Sequence, residues 1–417
     1  MQQIFFLNIF LKLHIMLLVI FMKYYLVGIK GSGMSALASM LYDMGHEVIG
    51  SDVANNYGFE QELIKRSIKI LEFSKDNINE SYIYIISNAY NDSNVEVKLI
   101  KENNYQYFYY HNFISKLPGF HIAICGTHGK TTTTTFIKDL LKEEQIAYII
   151  GDGTGGGLNN YKYLIYEACE YQDHFLAYEP DILVITNIEY DHPDYFKSIE
   201  DVKKSFNLMK EKSKIVIELP IDQYQIIEVN SEYTKISYHD NIYMIKLFGK
   251  HLIDDFVLSI KVLEVLGFNY EYILKHIDNI HMPKRRMQET KIENTILIED
   301  YGHHPTEIKA LYNSVTSKYP NIYSICLFQP HTYSRTLAFA KDFVEALKLF
   351  NEVYIDEVFT SKREPYNIET QNKVNYLFNE FNSYKNFDLN NIDFKKEQVV
   401  IILGAGDLNI RFIKNFK

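Results

Sequence analysis

An α/β fold built on parallel sheets is predicted by three features of the chain. Apolar runs of strand length alternate with helical patterns almost throughout. Several of these runs end in a glycine-rich or polar turn that leads into a helix, the order expected of α/β layers. The 417 residues exceed one ordinary domain and imply two or three. Three blocks separate, at residues 22–119, 120–282 and 283–417, after an apolar leader at 1–21.

The leader, MQQIFFLNIFLKLHIMLLVIF, is apolar enough that a membrane anchor has to be considered. Lys12 and His14 interrupt it, and it lacks a small-residue cleavage site of the A-x-A kind. Met22 runs straight into Lys23-Tyr24-Tyr25-Leu26-Val27-Gly28, which reads as a first strand. A spanning helix would enter that strand without a linker. No stable membrane insertion is therefore expected, and translation is expected to start at Met22. N-terminal mass spectrometry of the native protein tests this, and peptides from residues 1–21 would refute it.

A glycine turn, Gly28-Ile29-Lys30-Gly31-Ser32-Gly33, follows the first strand. A helix over 34–44, a second strand ending near Ser51-Asp52 and a further strand at 82–87 complete a Rossmann-like N-terminal unit. Its glycines fall as G-x-x-G-x-G rather than G-x-G-x-x-G, which discounts a dinucleotide-dependent oxidoreductase.

The second block opens with the strand His121-Ile122-Ala123-Ile124-Cys125, the loop Gly126-Thr127-His128-Gly129-Lys130-Thr131 and, from Thr132, a threonine run leading into a helix. This is a phosphate cradle in the context it needs. Glycines let backbone N–H groups turn inward around phosphate oxygens. The helix N-terminus adds the positive end of its dipole. Lys130 would reach the β- and γ-phosphates, and the Thr131 hydroxyl would ligate Mg²⁺. The full motif wants a glycine where Ile124 stands, so the loop is a shortened variant. The alternative, a glycine-rich helix cap, leaves the lysine unexplained. The block is predicted to be a central P-loop ATPase-type α/β domain.

Past a short strand at 163–166, Glu167-Ala168-Cys169-Glu170 offers a carboxylate to a nucleotide metal, or is a solvated acidic pair. The strand at 181–187 ends in Asn187, with Asp191 and His192 just beyond, where ligands bind in open parallel sheets. That tip suits a second metal or the reacting phosphate, or else is a polar loop with a capping aspartate. A strand at 214–219 and a helix over 255–266 close the block.

The third block carries strands at 295–299, 322–328, 352–355 and 398–403 and is predicted to be a C-terminal Rossmann-like α/β domain. Two of its strand tips are polar: Glu299-Asp300-Tyr301-Gly302-His303-His304-Pro305 and Phe328-Gln329-Pro330-His331-Thr332-Tyr333-Ser334-Arg335. Together they suggest a substrate site facing the nucleotide. Zinc at the histidine pair lacks a third ligand at zinc spacing. Gly404-Ala405-Gly406-Asp407 reads as a tight turn.

Composition narrows the class. Hydrophobic content of 47% and charged content of 23% are those of a globular protein, and a net charge of −10 argues against a nucleic-acid partner. The three cysteines, Cys125, Cys169 and Cys326, have no CxxC spacing and suggest reduced thiols in the cytoplasm.

Taken in order, GIKGSGMSALA, GTHGKTTTT, IGDGTGGG, EACEY, TNIEYDHPDYF, KRRMQ, EDYGHHPTEI, FQPHTYSRT and LGAGD resemble the Mur ligases of peptidoglycan assembly from Lys23 to the C-terminus. The resemblance implies an ATP- and Mg²⁺-dependent cytoplasmic enzyme. FQPHTYSRT points to joining L-alanine to the lactyl carboxylate of UDP-N-acetylmuramate. It further implies that Gly28, Gly31, Gly33, Met34 and Ser35 lie near the UDP diphosphate, with Ser51 and Asp52 at the next strand tip. Gly126 to Thr132 would hold the ATP phosphates, and Thr131, Glu170 and His192 would hold metal. His251, Arg286, Asp300 and Tyr301 would serve ATP and the closed state. Lys130, His192, His331 and Arg335 would be catalytic, and His303 would lie by the incoming amino acid. The family usually carries asparagines after the histidine at 251. Here the segment is Leu252-Ile253-Asp254-Asp255, which leaves adenine recognition open. No lysine is expected to be carbamylated.

Overall fold

The structure, a computed structural model, describes residues 21–54, 58–219, 224–360, 364–387 and 392–416. The expectation about the leader, residues 1–21, falls outside these residues but for Phe21. No helix among the described residues is long and apolar enough to cross a membrane. The chain forms two compact units, residues up to 120 with 144–164, and residues 121–143 with 165–417.

The first unit holds a five-stranded parallel sheet. Its strands are β1 (Lys23–Val27), β2 (Glu47–Ser51), β3 (Lys69–Leu71), β4 (Ile83–Ile86) and β5 (Tyr107–Tyr109), in the order β3-β2-β1-β4-β5. The order reverses between β1 and β4, and the glycine turn after β1 sits at that switch point, where open α/β sheets bind ligands. Helix α1 (Ser32–Asp43) follows the turn and buries Met34, Ala36, Leu37 and Met40. One face of the sheet is a core of Tyr25, Val27, Tyr84, Ile86, Val97 and Ile100.

Residues 144–164 join this unit as a hairpin, Ile146–Ile149 against Gly155–Gly157. Its glycines permit close approach to α1. A Cβ on Gly155 would lie 1.8 Å from the Ala36 carbonyl oxygen. Gly155→Ala is therefore expected to destabilise the unit by about 3 kcal/mol, the upper end for overpacking. A denaturant midpoint unchanged from wild type would refute this.

The second unit carries the phosphate loop. Its first sheet takes β6 (Phe120–Cys125), β7 (Tyr163–Glu167), β8 (Ile182–Ile185) and β9 (Ile215–Glu218), in the order β9-β8-β6-β7. The pairs β6–β8 and β8–β9 are parallel, with Ile182 opposite both Ile122 and Ile215. Helix α2 (Lys130–Leu140) packs on α3 (Lys250–Val265), which buries Leu252, Ile253, Phe256, Val257 and Ile260. The latter starts five residues before the predicted 255, because Gly249 at φ 91° lets the chain turn directly into helix.

A three-stranded antiparallel sheet, β10 (Gln225–Val229), β11 (Thr234–Tyr238) and β12 (Asn241–Ile245), was not anticipated. β10 is exposed along its length, and its apolar residues Ile226, Ile227 and Val229 do not alternate with polar ones as in a half-buried strand.

The last sheet comprises β13 (Gln288–Ile292), β14 (Thr295–Asp300), β15 (Tyr323–Phe328), β16 (Glu352–Ile355), β17 (Asn382–Ser383) and β18 (Gln398–Leu403). Its order is β13-β14-β18-β15-β16-β17, parallel except for the antiparallel pair β13–β14. Leu297, Ile325, Leu327, Val400, Ile402 and Phe412 form its core on one face. The four predicted strands of this block all form, with ends shifted by a residue at most. Three parallel-rich sheets thus give the α/β architecture read from the sequence.

Candidate active site

The phosphate loop is shaped by two glycines. Gly126 has φ 136° and Gly129 has φ 81°, a left-handed residue that caps α2. A Cβ on Gly126 would lie 2.0 Å from Thr186 Oγ1, and one on Gly129 would lie 2.6 Å from Asp255 Oδ1. The neighbouring strand tip holds the loop open. The His128 N–H donates to Asn187 Oδ1 at 3.0 Å, while Asn187 Nδ2 and the Thr186 hydroxyl both donate to the His128 carbonyl, the former at 3.1 Å.

Lys130 starts α2, and its ammonium folds back over the loop. It donates to the Gly126 and Thr127 carbonyls, the latter at 3.2 Å, and to Glu170 Oε2 at 3.0 Å. Glu170 is only 2% exposed. Burial opposes charge on both groups, but each outweighs that penalty for the other: Lys130 is pushed up and Glu170 down. His192, at φ 54°, brings Nε2 to 3.6 Å from Glu170 Oε1. Two of the expected metal residues, Glu170 and His192, thus meet beside Lys130. Glu170 and the Thr131 hydroxyl at the start of α2 are the hard oxygen donors Mg²⁺ takes, alongside phosphate oxygens and water.

Beyond His192 the C-terminal sheet supplies partners. Arg335, in the short helix Tyr333–Ala338, grips Asp191 with both arms: Nε to Oδ1 at 2.9 Å and Nη2 to Oδ2 at 3.1 Å. Burial would raise the Asp191 carboxyl, but Arg335 overrides it and holds the group far below the carboxylate range. His331 Nδ1 lies 3.4 Å from Arg335 Nη1, and the His331 and His303 rings meet edge-on at 5.5 Å. His303 Nδ1 lies 3.0 Å from the Tyr301 carbonyl, which assigns its proton there and leaves Nε2 as an acceptor. Burial, then Arg335, drives its pKa well below the usual value, so it is neutral at pH 7.

Arg286, Asp300 and Tyr301 form a second cluster. Arg286 pairs with Glu307 at 3.0 Å and lies over the Tyr301 ring at 5.3 Å. Asp300 accepts from the Met287 and Gly302 N–H groups at 2.8 and 2.7 Å, shaping the strand tip from within. A cavity of about 230 Å³ opens here, its walls including His128, Gly129, Asn187, His251, Arg286 and Glu307. His251, in the first turn of α3, is pushed down to about 4 by burial and then by Arg286. An adjoining cleft of about 830 Å³ is lined by Thr186, Leu219, Tyr224 and Asp254 among others. Asp254 accepts from Tyr224 at 2.6 Å and from Lys250 at 2.7 Å.

In the first unit, Gly28, Gly31, Gly33 and Met34 line the turn into α1. Ser35 is fully buried and donates to the Ile29 carbonyl at 2.9 Å. Asp52 accepts from the Lys30 N–H at 2.8 Å and from the Tyr90 hydroxyl at 2.9 Å, bracing the glycine turn. The Ser51 hydroxyl donates to Glu96.

Sequence reasoning left two site carboxylates without a role. Glu307 accepts from the His303 and His304 N–H groups at 2.9 and 3.2 Å, the glutamate of a capping box. The Thr306-Glu307 pair after Pro305 was the available signal. Asp255 lies under Gly129, accepts from the Thr133 hydroxyl at 3.0 Å, and burial drives its carboxyl well above the usual range. Its folded value exceeds the unfolded 3.8, so the stability it favours is full below that pH and is lost as pH rises toward the folded value. Asp255→Asn keeps the acceptor and removes that loss. The variant is expected to melt above wild type at pH 8, the gap closing toward pH 4. A pH-independent difference in thermal melts would refute this.

Fold and site together define the class: an ATP-dependent ligase built from α/β domains. The chain belongs to the Mur ligase family, the ligases of cell-wall peptidoglycan synthesis. Residues 23–119 match the Mur ligase family, catalytic domain, and residues 124–252 match the Mur ligase middle domain. Among solved structures, the UDP-N-acetylmuramate–alanine ligase of Thermotoga maritima is 21% identical, with a TM-score of 0.77 over 95% of this chain and 99% of that one. A murein peptide ligase of Psychrobacter arcticus is 17% identical, with a TM-score of 0.67 over 95% and 98%. The MurF ligase of Thermotoga maritima in complex with ADP is 14% identical, with a TM-score of 0.55 over 88% and 94%. At these identities the likeness establishes the fold.

Proposed function

We propose that the chain joins L-alanine to the lactyl carboxylate of UDP-N-acetylmuramate with cleavage of ATP to ADP and phosphate, in the cytoplasm. The observation that carries this is one row of groups within the second unit. Lys130, Glu170 and His192 stand at the phosphate loop, and Asp191, Arg335, His331 and His303 continue from them. Such a row suits phosphoryl transfer at one end and amine capture at the other.

A carboxylate is a poor electrophile. An oxygen of the lactyl carboxylate attacks the γ-phosphorus, and the bond to the β–γ bridging oxygen breaks, releasing ADP. Lys130 and the loop N–H groups stabilise the charge spread over the transferring phosphoryl. A magnesium ion held by Thr131 and Glu170, with His192 beside it, would neutralise phosphate charge. The amine of alanine then attacks the acyl carbon, and phosphate leaves with the acyl oxygen. His303 Nε2 takes the amine proton, and Arg335 receives the amino-acid carboxylate in place of Asp191.

The glycine turn after β1 is assigned to the UDP diphosphate, and the residue ranges 22–119, 120–282 and 283–417 to sugar, ATP and amino acid respectively. The cleft beside Tyr224 and Asp254 is assigned to adenine. The test is a phosphate-release assay with single omissions of ATP, UDP-N-acetylmuramate and L-alanine. Release is expected only with all three present. ADP formation that ignores the sugar nucleotide would sink the proposal, and release with a peptide in place of alanine would redirect it to a peptide ligase.

A further inference from the structure

We propose that His128, Glu189 and His304 form a transition-metal site, of the kind that takes Zn²⁺, joining the phosphate loop to the first turn of the helix Pro305–Lys318. The site does not depend on the substrates proposed above. One ligand atom from each of the three residues lies within 4.8 Å of the others. The Nε2 atoms of His128 and His304 are both buried and have no hydrogen-bond partner among the described residues. Buried imidazole nitrogens are ordinarily satisfied, so two orphans on neighbouring rings call for a shared ligand. Their rings stand 4.8 Å apart and are tilted by 38°. Glu189 Oε2 lies 3.6 Å from His128 Nε2, too far for a hydrogen bond and wide enough for a metal between them.

The surroundings support this set. His128 Nδ1 faces Glu307 Oε1 at 3.5 Å, and Glu307 is anchored by Arg286, an arrangement like the carboxylate–histidine–metal relay that orients a ligating ring. Glu189 is fixed by a hydrogen bond from the Thr306 hydroxyl at 2.8 Å. Two imidazoles and one carboxylate are borderline ligands suited to zinc, with a fourth position for water, whereas Mg²⁺ takes an all-oxygen set. Binding displaces any proton on His128 Nε2. It also moves the His304 proton from Nε2 to Nδ1, which gives up the 3.3 Å bond from the Thr306 N–H. His128 and Glu189 follow strands of the first sheet of this unit and His304 follows β14 of the last, so the metal would lock those segments together.

The test is a titration of the full-length, nucleotide-free protein with Zn²⁺ alone against a chromophoric chelator. It is paired with anomalous diffraction at the zinc edge from zinc-soaked crystals. His304→Asn keeps the helix cap without the imidazole, and Glu189→Gln removes the charged ligand. One equivalent of zinc is expected in the wild type, with affinity at least about 100-fold weaker in each variant and an anomalous peak bonded to both Nε2 atoms. Equal affinity in wild type and variants would overturn the proposal. So would a peak confined to Glu170 and His192. Should one variant fail to fold, the peak position decides.

Discussion

Lys130→Ala is expected to lower turnover by about 100-fold or more, the scale seen when a single group that stabilises a developing charge is lost. The structure adds a second consequence. Lys130 is the cation facing Glu170, which is 2% exposed and has His192 Nε2 at 3.6 Å as a second basic neighbour. Removing one partner of a buried pair strands the other and costs about 3–5 kcal/mol. Activity and stability should therefore fall together, and Glu170→Gln added to Lys130→Ala should recover stability but not turnover. Initial phosphate release and urea unfolding of the single and double variants separate the two effects. A Lys130→Ala enzyme at near wild-type rate would remove the phosphate role.

Arg335→Ala is expected to be at least as damaging to stability, about 3–5 kcal/mol, because its two-armed bond to Asp191 is buried on both sides. Asp191 is held below its unfolded value of 3.8, so this contribution is complete above that pH and disappears only as pH falls through the folded value. The variant should therefore differ from wild type at pH 7 and converge on it in strong acid. Asp191→Asn probes the reaction separately. If Arg335 is destined for the amino-acid carboxylate, freeing it should lower the KM for alanine, while a role confined to packing would leave KM unchanged. Denaturation across pH and the KM-against-kcat split are the measurements.

Much of this was legible in the sequence because most candidate site residues follow a strand. Apolar runs such as Ile122–Cys125 and Leu183–Ile185 locate the strands, and the polar residues after them mark the binding edge of the sheet. Gly126, Gly129, Lys130, Thr131 and His192 could be found this way. What chain order does not encode is which strand tips meet. His128 and Glu189 come to His304 from far away in sequence, a meeting that no local spacing around the histidine pair encodes. Asp255 stood out only as a departure from the family's asparagines, and its burial beneath Gly129 follows from the packing of α2 on α3. The exposed strand Gln225–Val229 carries Ile226, Ile227 and Val229, but without the alternation that marks a half-buried strand.

The hairpin at 144–164 belongs with residues far upstream of it, while the phosphate-loop helix lies in the stretch between. On a ribosome, the first unit cannot be completed until residue 164 has emerged, by which time Lys130 and its loop have already been synthesised. The first unit and the phosphate-loop segment must therefore mature over the same stretch of synthesis. A fragment cut at residue 120 should emerge with the α1 surface at Ala36 bare and prone to aggregate.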